Sequence, residues 1–268
     1  MVAIAESLGT VVVEVAEAEI VPRYRNLSAS DIFGKPSKTD PDDLVTSADR
    51  AAESALTARL RELVPGSCVV GEEGAAENPE LLESIHGEAP VWLVDPLDGT
   101  KNFAGGRGPF GTMVALLERG RIVLSAIYLI LERDLYVAEV GAGAFRNGTR
   151  LTPAPPIGKS QKGTLHTKFM EADSLQRLTL SPADCELHTP PMCAAFEYAR
   201  LARAEHDFAL FSRLLPWDHA AGALILRELE GVARHLNSVE YDPLGSDALM
   251  LVASSESRWQ AVRRSLFH

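Results

Sequence analysis

Apolar residues at Ile4, Leu8, Val11, Val12, Val15 and Ile20 recur at helical spacing, which predicts an amphipathic helix over residues 3–20. A second stripe runs through Val45, Ala48, Ala52, Ala55, Leu56, Leu60 and Leu63. It predicts a helix from Leu44 to Leu63 that stops before Pro65-Gly66. Residues 26–43, between the two, are rich in Ser, Asp, Lys and Pro and read as an exposed loop or flap. Cys68-Val69-Val70 and Val91-Trp92-Leu93-Val94 are short apolar runs bounded by turn residues, the pattern of buried strands. Thr112–Leu117 and Ile122–Tyr128 flank Arg119-Gly120 as a hairpin, and Leu135–Val140 follows as a third strand. Gly141–Arg150 is Gly-rich and turn-like. Pro153, Pro155, Pro156 and Gly158 mark a boundary between an N-terminal α+β subdomain, residues 1–152, and a C-terminal α/β subdomain, residues 153–268. In the second part, helices are predicted over Met192–Ala204, Asp218–Leu229 and Ser257–Phe267, and strands over Val232–Leu236 and Leu249–Ala253. The alternation points to a layered α/β or α+β protein.

Composition narrows the function classes. The 268 residues are enough for one large domain or two intimate subdomains with a real core. No apolar run reaches the roughly 18 residues of a membrane span. Residues 1–20 carry Glu6, Glu14, Glu17 and Glu19 and no basic n-region, so the chain reads as cytoplasmic, without a membrane partner. Cys68, Cys185 and Cys193 lack pair spacing and read as free, buried thiols. With 26 basic and 37 acidic residues the net charge is −11, which argues against direct nucleic-acid contact. An acidic protein handles an anionic substrate only where something inverts the local charge, as bound divalent cations do.

Four acidic motifs are candidates for that task. Asp95-Pro96-Leu97-Asp98-Gly99-Thr100 follows a predicted strand. Proline at its second position predicts a type I turn, which brings the first and fourth Cα atoms within about 7 Å and lets Asp95 and Asp98 aim at one place. Two-metal sites hold their ions about 3.5–4 Å apart, a span such a pair can serve. Gly99 permits close approach of backbone to a ligand, and a short helix after Asp98 would offer free N–H groups to phosphate. Gly71-Glu72-Glu73-Gly74 closes a strand; adjacent strand side chains point opposite ways, so Glu73 is expected to face away from Glu72. Trp217-Asp218-His219-Ala220-Ala221-Gly222 opens an apolar helix, with His219 read as a packed or supporting residue. Asp43-Leu44-Val45-Thr46-Ser47-Ala48-Asp49 reads as a capping-box-like helix start. Each motif alone also reads as a cap or turn. Together they form an oxygen-only donor set that suits Mg²⁺ or Mn²⁺ rather than zinc.

Gly71-Glu72-Glu73-Gly74, the run from Trp92 through Asp95-Pro96-Leu97-Asp98-Gly99-Thr100 to Phe103, and Trp217–Gly222 resemble the signatures of the inositol monophosphatase family. Asp43–Thr46 with Ala48-Asp49, and Gly143-Ala144-Phe145-Arg146-Asn147-Gly148, resemble two further markers. The match runs from about residue 35 to 150 and again from 216 onward. The resemblance implies a five-layered αβαβα sandwich, as in inositol monophosphatase and fructose-1,6-bisphosphatase-like proteins, and lithium-sensitive hydrolysis with two or three Mg²⁺ ions. It implies Glu72, Asp95 and the Leu97 carbonyl at one ion, and Asp95, Asp98 and Asp218 at another. It further implies Glu72, Thr100 and Asp49 around the attacking water, the Gly99 and Thr100 N–H groups on phosphate, and Lys38 on a mobile flap. A homodimer and a small phosphorylated metabolite as partner are implied in the same way.

The chain departs from the family where the alcohol is held. Residues 160–190 match poorly and are shortened, Cys193-Ala194-Ala195 stands in place of a Gly-Ser-Ala stretch, and Phe211 replaces a glutamate seven residues before the metal-binding aspartate. Inositol phosphates, fructose 1,6-bisphosphate, a 3′(2′),5′-bisphosphate nucleotide and histidinol phosphate are therefore competing substrates. A regulatory binding role of the extragenic-suppressor type is the reading from another class.

Overall fold

The computed structural model describes residues 2–35, 40, 42–155, 160–176, 178, 185–243, 245 and 249–266. The chain opens with α1 (Val2–Val15), which continues as a π-helical turn over Ala16–Ile20. Strand β1 (Ile32–Gly34) pairs antiparallel with β2 (Leu44–Thr46), so the second helix starts three residues later than its apolar stripe suggests. That helix, α2 (Ser47–Leu63), is set by its cap. Thr46 and Asp49 form a reciprocal capping box, with extended backbone at Thr46. Then follow β3 (Cys68–Gly71), α3 (Glu72–Glu77), β4 (Val91–Asp98), α4 (Thr100–Ala104), β5 (Gly111–Glu118), β6 (Arg121–Leu129) and β7 (Asp134–Glu139). Arg119 and Gly120 both take positive φ, 50° and 72°, as a two-residue hairpin between right-twisted strands requires. The segment 141–150, expected to be turn-like, instead carries two short strands, β8 (Gly143–Arg146) and β9 (Thr149–Arg150).

The remaining elements are β10 (Gln161–His166), α5 (Ala172–Gln176), β11 (Cys185–His188), α6 (Ala194–Ala202), β12 (Phe208–Phe211), α7 (Pro216–Arg227), β13 (Val232–His235), β14 (Met250–Ala253) and α8 (Glu256–Leu266). One sheet has the order β3-β4-β5-β6-β7-β8-β9, and a second has β11-β10-β12-β14-β13. Side chains alternate across each strand, and this alternation builds the layers. In β4 and β5, Trp92, Val94, Val114 and Leu116 join a core with α1 and α2, while Val91, Leu93, Met113, Ala115 and Leu117 join one with α6 and α7. In β12 and β14, Phe211, Ala209, Met250 and Val252 face that middle core. Phe208, Leu210, Leu251 and Ala253 face Trp259 and Val262 of α8. The result is the expected αβαβα sandwich: α1 and α2, the larger sheet, α6 and α7, the smaller sheet, α8. Among the described residues no helix is long and apolar enough to cross a membrane. Cys68, Cys185 and Cys193 are free thiols; Cys185 and Cys193 are buried and Cys68 is partly so.

Candidate active site

Three helix starts and one strand end supply the acidic residues. β4 runs on through Asp95 to Asp98 instead of turning after Asp95, and the predicted type I turn is absent. Its ladder to β5 pairs Asp95 with Met113 and Asp98 with Gly111, with a bulge between. Pro96 lacks the N–H a regular ladder needs, so the strand bulges at this point. Thr112 Oγ1 donates to the Pro96 carbonyl at 2.9 Å, and the Leu97 N–H donates to Asp95 Oδ1 at 3.0 Å. The bulge therefore gives the two aspartates the shared aim assigned to a turn. Gly99 caps α4 with φ 86°, and a Cβ there would stand 2.9 Å from the Pro109 carbonyl oxygen.

Glu72, Asp95 and Asp218 each bring a carboxylate oxygen within 4.8 Å of the others. Glu72 opens α3, and Asp218 sits in the first turn of α7 behind Pro216. Asp98 lines the same cavity but stands outside that trio; its Oδ2 accepts from the Ala195 N–H at 2.6 Å. Asp49 accepts from the Thr46 N–H at 2.7 Å and from Thr100 Oγ1 at 3.0 Å, and the Thr100 hydroxyl also reaches the Leu97 carbonyl at 2.9 Å. The Asp49 cap thus orients Thr100 against the backbone that carries Asp95 and Asp98. A cavity of about 430 Å³ contains Glu72, Asp95, Leu97, Asp98, Gly99, Thr100, Phe211 and Asp218 in its wall.

Electrostatically the cluster is frustrated. Burial, then Glu72 and the neighbouring aspartates, hold the Asp95 carboxyl well above the usual carboxylate range. Asp218 is raised in the same way by burial, Glu72 and Asp98. Burial raises Asp49 to about 6 against the hydrogen bonds of Thr46. Like charges crowded in a dry place resist ionising together, and a divalent cation among them reverses that penalty. The donors are carboxylate and carbonyl oxygens, which fit a hard cation such as Mg²⁺ or Mn²⁺.

Glu73 does not face away from Glu72. Both lie on the first turn of α3, where the strand alternation no longer applies, and both accept from Lys35 Nζ, at 2.8 and 3.0 Å. Lys35 is a site residue that sequence reasoning missed. It lies three residues before Lys38, which falls outside the described residues, and nothing in its surroundings marks it. The cavity also holds His166, Lys168 and Arg213, likewise unforeseen as a group. Lys168 and Lys101 both bind Asp40 Oδ2, at 2.7 and 3.0 Å, and Arg213 meets Asp43 Oδ2 at 3.3 Å. His219 is packed as expected: its Nε2 lies 2.8 Å from the Arg213 carbonyl and its Nδ1 3.1 Å from the Tyr198 hydroxyl. Phe211 stacks on His166 with ring centroids 4.6 Å apart and is almost fully buried.

The model of the inositol monophosphatase family matches residues 2–266. An inositol-1-monophosphatase of Bacillus subtilis (strain 168) is 32% identical over 199 residues, 73% of each chain. A protein of Vibrio cholerae named Nus factor SuhB is 32% identical over 192 residues, 69% of each. The solved structure of an IMPase from Thermotoga maritima superposes with a TM-score of 0.78 at 22% identity, covering 99% of this chain and 98% of its own. The chain belongs to the inositol monophosphatase family and is, with that family, a phosphoric monoester hydrolase.

Proposed function

We propose that this chain is a Mg²⁺-dependent, lithium-sensitive phosphatase of small phosphate monoesters with relaxed choice of alcohol. The observation that carries the reading is the convergence of Glu72, Asp95 and Asp218 within 4.8 Å, beside Asp98 and a helix start at Gly99-Thr100. Glu72, Asp95 and the Leu97 carbonyl would hold one ion, and Asp95, Asp98 and Asp218 a second, with Mn²⁺ able to substitute for Mg²⁺. Such ions neutralise phosphate charge and lower the pKa of a bound water toward 7. The Gly99 and Thr100 N–H groups take phosphate oxygens. Thr100 and Asp49 order the water, with Glu72 beside it. Phosphoryl transfer asks the protein mainly for position and charge, so no side-chain nucleophile is needed. Lys35 Nζ bonds Glu72 Oε1 at 2.8 Å, so a cation at Glu72 would share that carboxylate with Lys35.

The alcohol end is where this chain differs. Phe211 offers no hydrogen bond to a hydroxyl, and a site without such a partner discriminates weakly between hydroxylated leaving groups. An apolar, planar or loosely held alcohol suits the wall of Phe211 and His166. A phosphate-release panel of inositol 1-phosphate, histidinol phosphate, glycerol 2-phosphate and nucleoside monophosphates should show activity on several members with Mg²⁺ and none in excess chelator. Release that persists in chelator would refute the metal assignment. A kcat/KM for inositol 1-phosphate on the order of a hundredfold above the others would refute the relaxed choice. The acidic cluster favours catalysis over a purely regulatory binding role, which has no use for converging carboxylates. A homodimer rests on the resemblance alone, and a monomer mass by light scattering at micromolar concentration would end it.

A further inference from the structure

A second cavity, of about 690 Å³, lies between α1 and the larger sheet, against β7 and β8. It shares no residue with the cavity of the acidic cluster. Ala5, Gly9 and Val13 of α1 form one wall, and Leu135, Val137 and Phe145 form the other. Steps of four residues set Ala5, Gly9 and Val13 on one helix face. Gly9 lets that face approach the sheet closely, since a Cβ there would stand 2.9 Å from Leu135 Cδ2. The volume falls within the range of about 300–1,000 Å³ usual for small-ligand sites.

Glu139, the last residue of β7, is the odd member of this apolar lining. Alternate strand residues share a face, so its side chain points with Leu135 and Val137 toward α1. Glu139 is only 8% exposed, and among the described residues its carboxylate has no hydrogen-bond or ion-pair partner. A carboxylate buried without a partner is costly. Arg150 lies over Gly143, the cross-strand neighbour of Glu139. It is engaged elsewhere: its Nη1 donates to the Ala142 carbonyl at 2.7 Å, and its guanidinium sits 5.6 Å from the centre of the Phe145 ring. Thr10 Oγ1 gives its proton to the Glu6 carbonyl at 3.0 Å, which leaves its lone pairs free to accept. Glu6 and Glu14 stand exposed at the rim, Glu14 paired with Arg59 at 2.9 Å. Among the described residues no Lys, Arg or His lines the cavity. Its charge is therefore of one sign, and its free polar groups accept hydrogen bonds.

We propose that this cavity binds an apolar organic cation: a primary or secondary amine whose ammonium pairs with Glu139 and whose hydrocarbon body lies between α1 and β7. The ammonium supplies the counter-charge that the fold leaves out, and it carries donors only, matching a lining that only accepts. The hydrocarbon body removes the apolar walls from water. An alcohol of the same shape lacks the charge. A carboxylate of the same shape adds a like charge beside Glu139. The site is separate from the acidic cluster and does not depend on the phosphatase reading.

Phenylbutylamine, phenylbutanol and phenylbutanoate, alike in their apolar body, test the proposal by ligand-observed NMR titration. The full chain is used near neutral pH with saturating Mg²⁺, so that the acidic cluster is not free to take the amine. The amine should bind about tenfold or more tighter than the alcohol, since a charge-assisted bond is at stake, and the carboxylate should not bind. Glu139→Gln should weaken the amine by about the same factor and leave the alcohol unchanged. A thermal melt checks that the variant is folded. Ala5→Phe fills the cavity from its half-exposed side and should abolish binding of both amine and alcohol, so it serves where the glutamine variant fails to fold. Equal affinity for amine and alcohol, amine binding that survives Glu139→Gln or Ala5→Phe in the folded protein, or no binding of the amine at all would overturn the proposal.

Discussion

At the level of single residues the site separates acids that gather from acids that hold the frame. Asp95 is shared by both ion positions of the proposed mechanism, whereas Glu73 shares Lys35 with Glu72. Burial and Glu72 push the Glu73 carboxyl up to about 8, so near pH 7 it is largely protonated and a glutamine amide resembles it. Asp95→Asn should therefore lower kcat/KM on the order of 10²-fold or more, a loss of about 3 kcal/mol of transition-state stabilisation. Glu73→Gln should stay within about tenfold. Phosphate release by the two variants at saturating Mg²⁺ measures this directly, and equal mild effects would contradict the assignment. The carboxylates of the motifs were readable as a set because each is followed by Gly, Thr or a helix start. The partners Lys35, His166 and Lys168 were not, because a lone basic residue in a polar segment looks like any solvated one.

Among elements, the first turn of α7 decides where Asp218 points, and α7 is seated by its contact with α6. Gly222 is the hinge of that contact: a Cβ there would stand 2.0 Å from Tyr198 Cγ. Alanine is normally the better helix former by about 1 kcal/mol, yet Gly222→Ala should destabilise the protein. The overpacking cost is about 1–3 kcal/mol or more, read as a lower urea midpoint. Activity should fall too, since any shift of α7 carries Asp218 away from Glu72 and Asp95. A stabilised Gly222→Ala variant would show that α6 can give way. Helices α1, α2, α6, α7 and α8 and strands β3 to β7, β13 and β14 were legible in the sequence. β1, β2, β8, β9, β11 and β12 were not, because strands of two to four residues are too short to display a period, and β10 and the short helices α3 and α5 were missed as well.

Across the whole molecule the acidic cluster links stability to pH and to metal. Asp49 and Glu73 have folded-state values of about 6 and about 8, above their ordinary values of 3.8 and 4.5. A raised carboxyl means the folded state binds more protons than the unfolded chain, so stability falls as pH rises through these values. In chelator, the melting temperature should climb as pH drops from about 8 to about 6. Adding Mg²⁺ at pH 8 should restore it, by about 2.7 kcal/mol at a hundred times Kd, and should flatten the pH dependence. A metal-free melting curve that rises with pH over that interval would contradict the crowded-acid account. Differential scanning fluorimetry across pH, with and without Mg²⁺, decides between them.

By itself the sequence determined the family, the layered fold and the identity of the acidic set, because these depend on local period, on caps such as Thr46 with Asp49, and on motif order. Tertiary structure alone decided the rest. It replaced the expected turn at Asp95–Asp98 with a bulged strand, since the ladder to β5 offers partners that an isolated turn lacks. It set Glu73 beside Glu72 by starting α3 one residue earlier than strand alternation allows. It brought Glu72, His166 and Arg213 to one cavity from segments far apart in the chain. The approach of Glu197 on α6 to His166 at the end of β10 is likewise a tertiary contact. Contacts across such distances depend on how layers stack, and no local period in the chain encodes that.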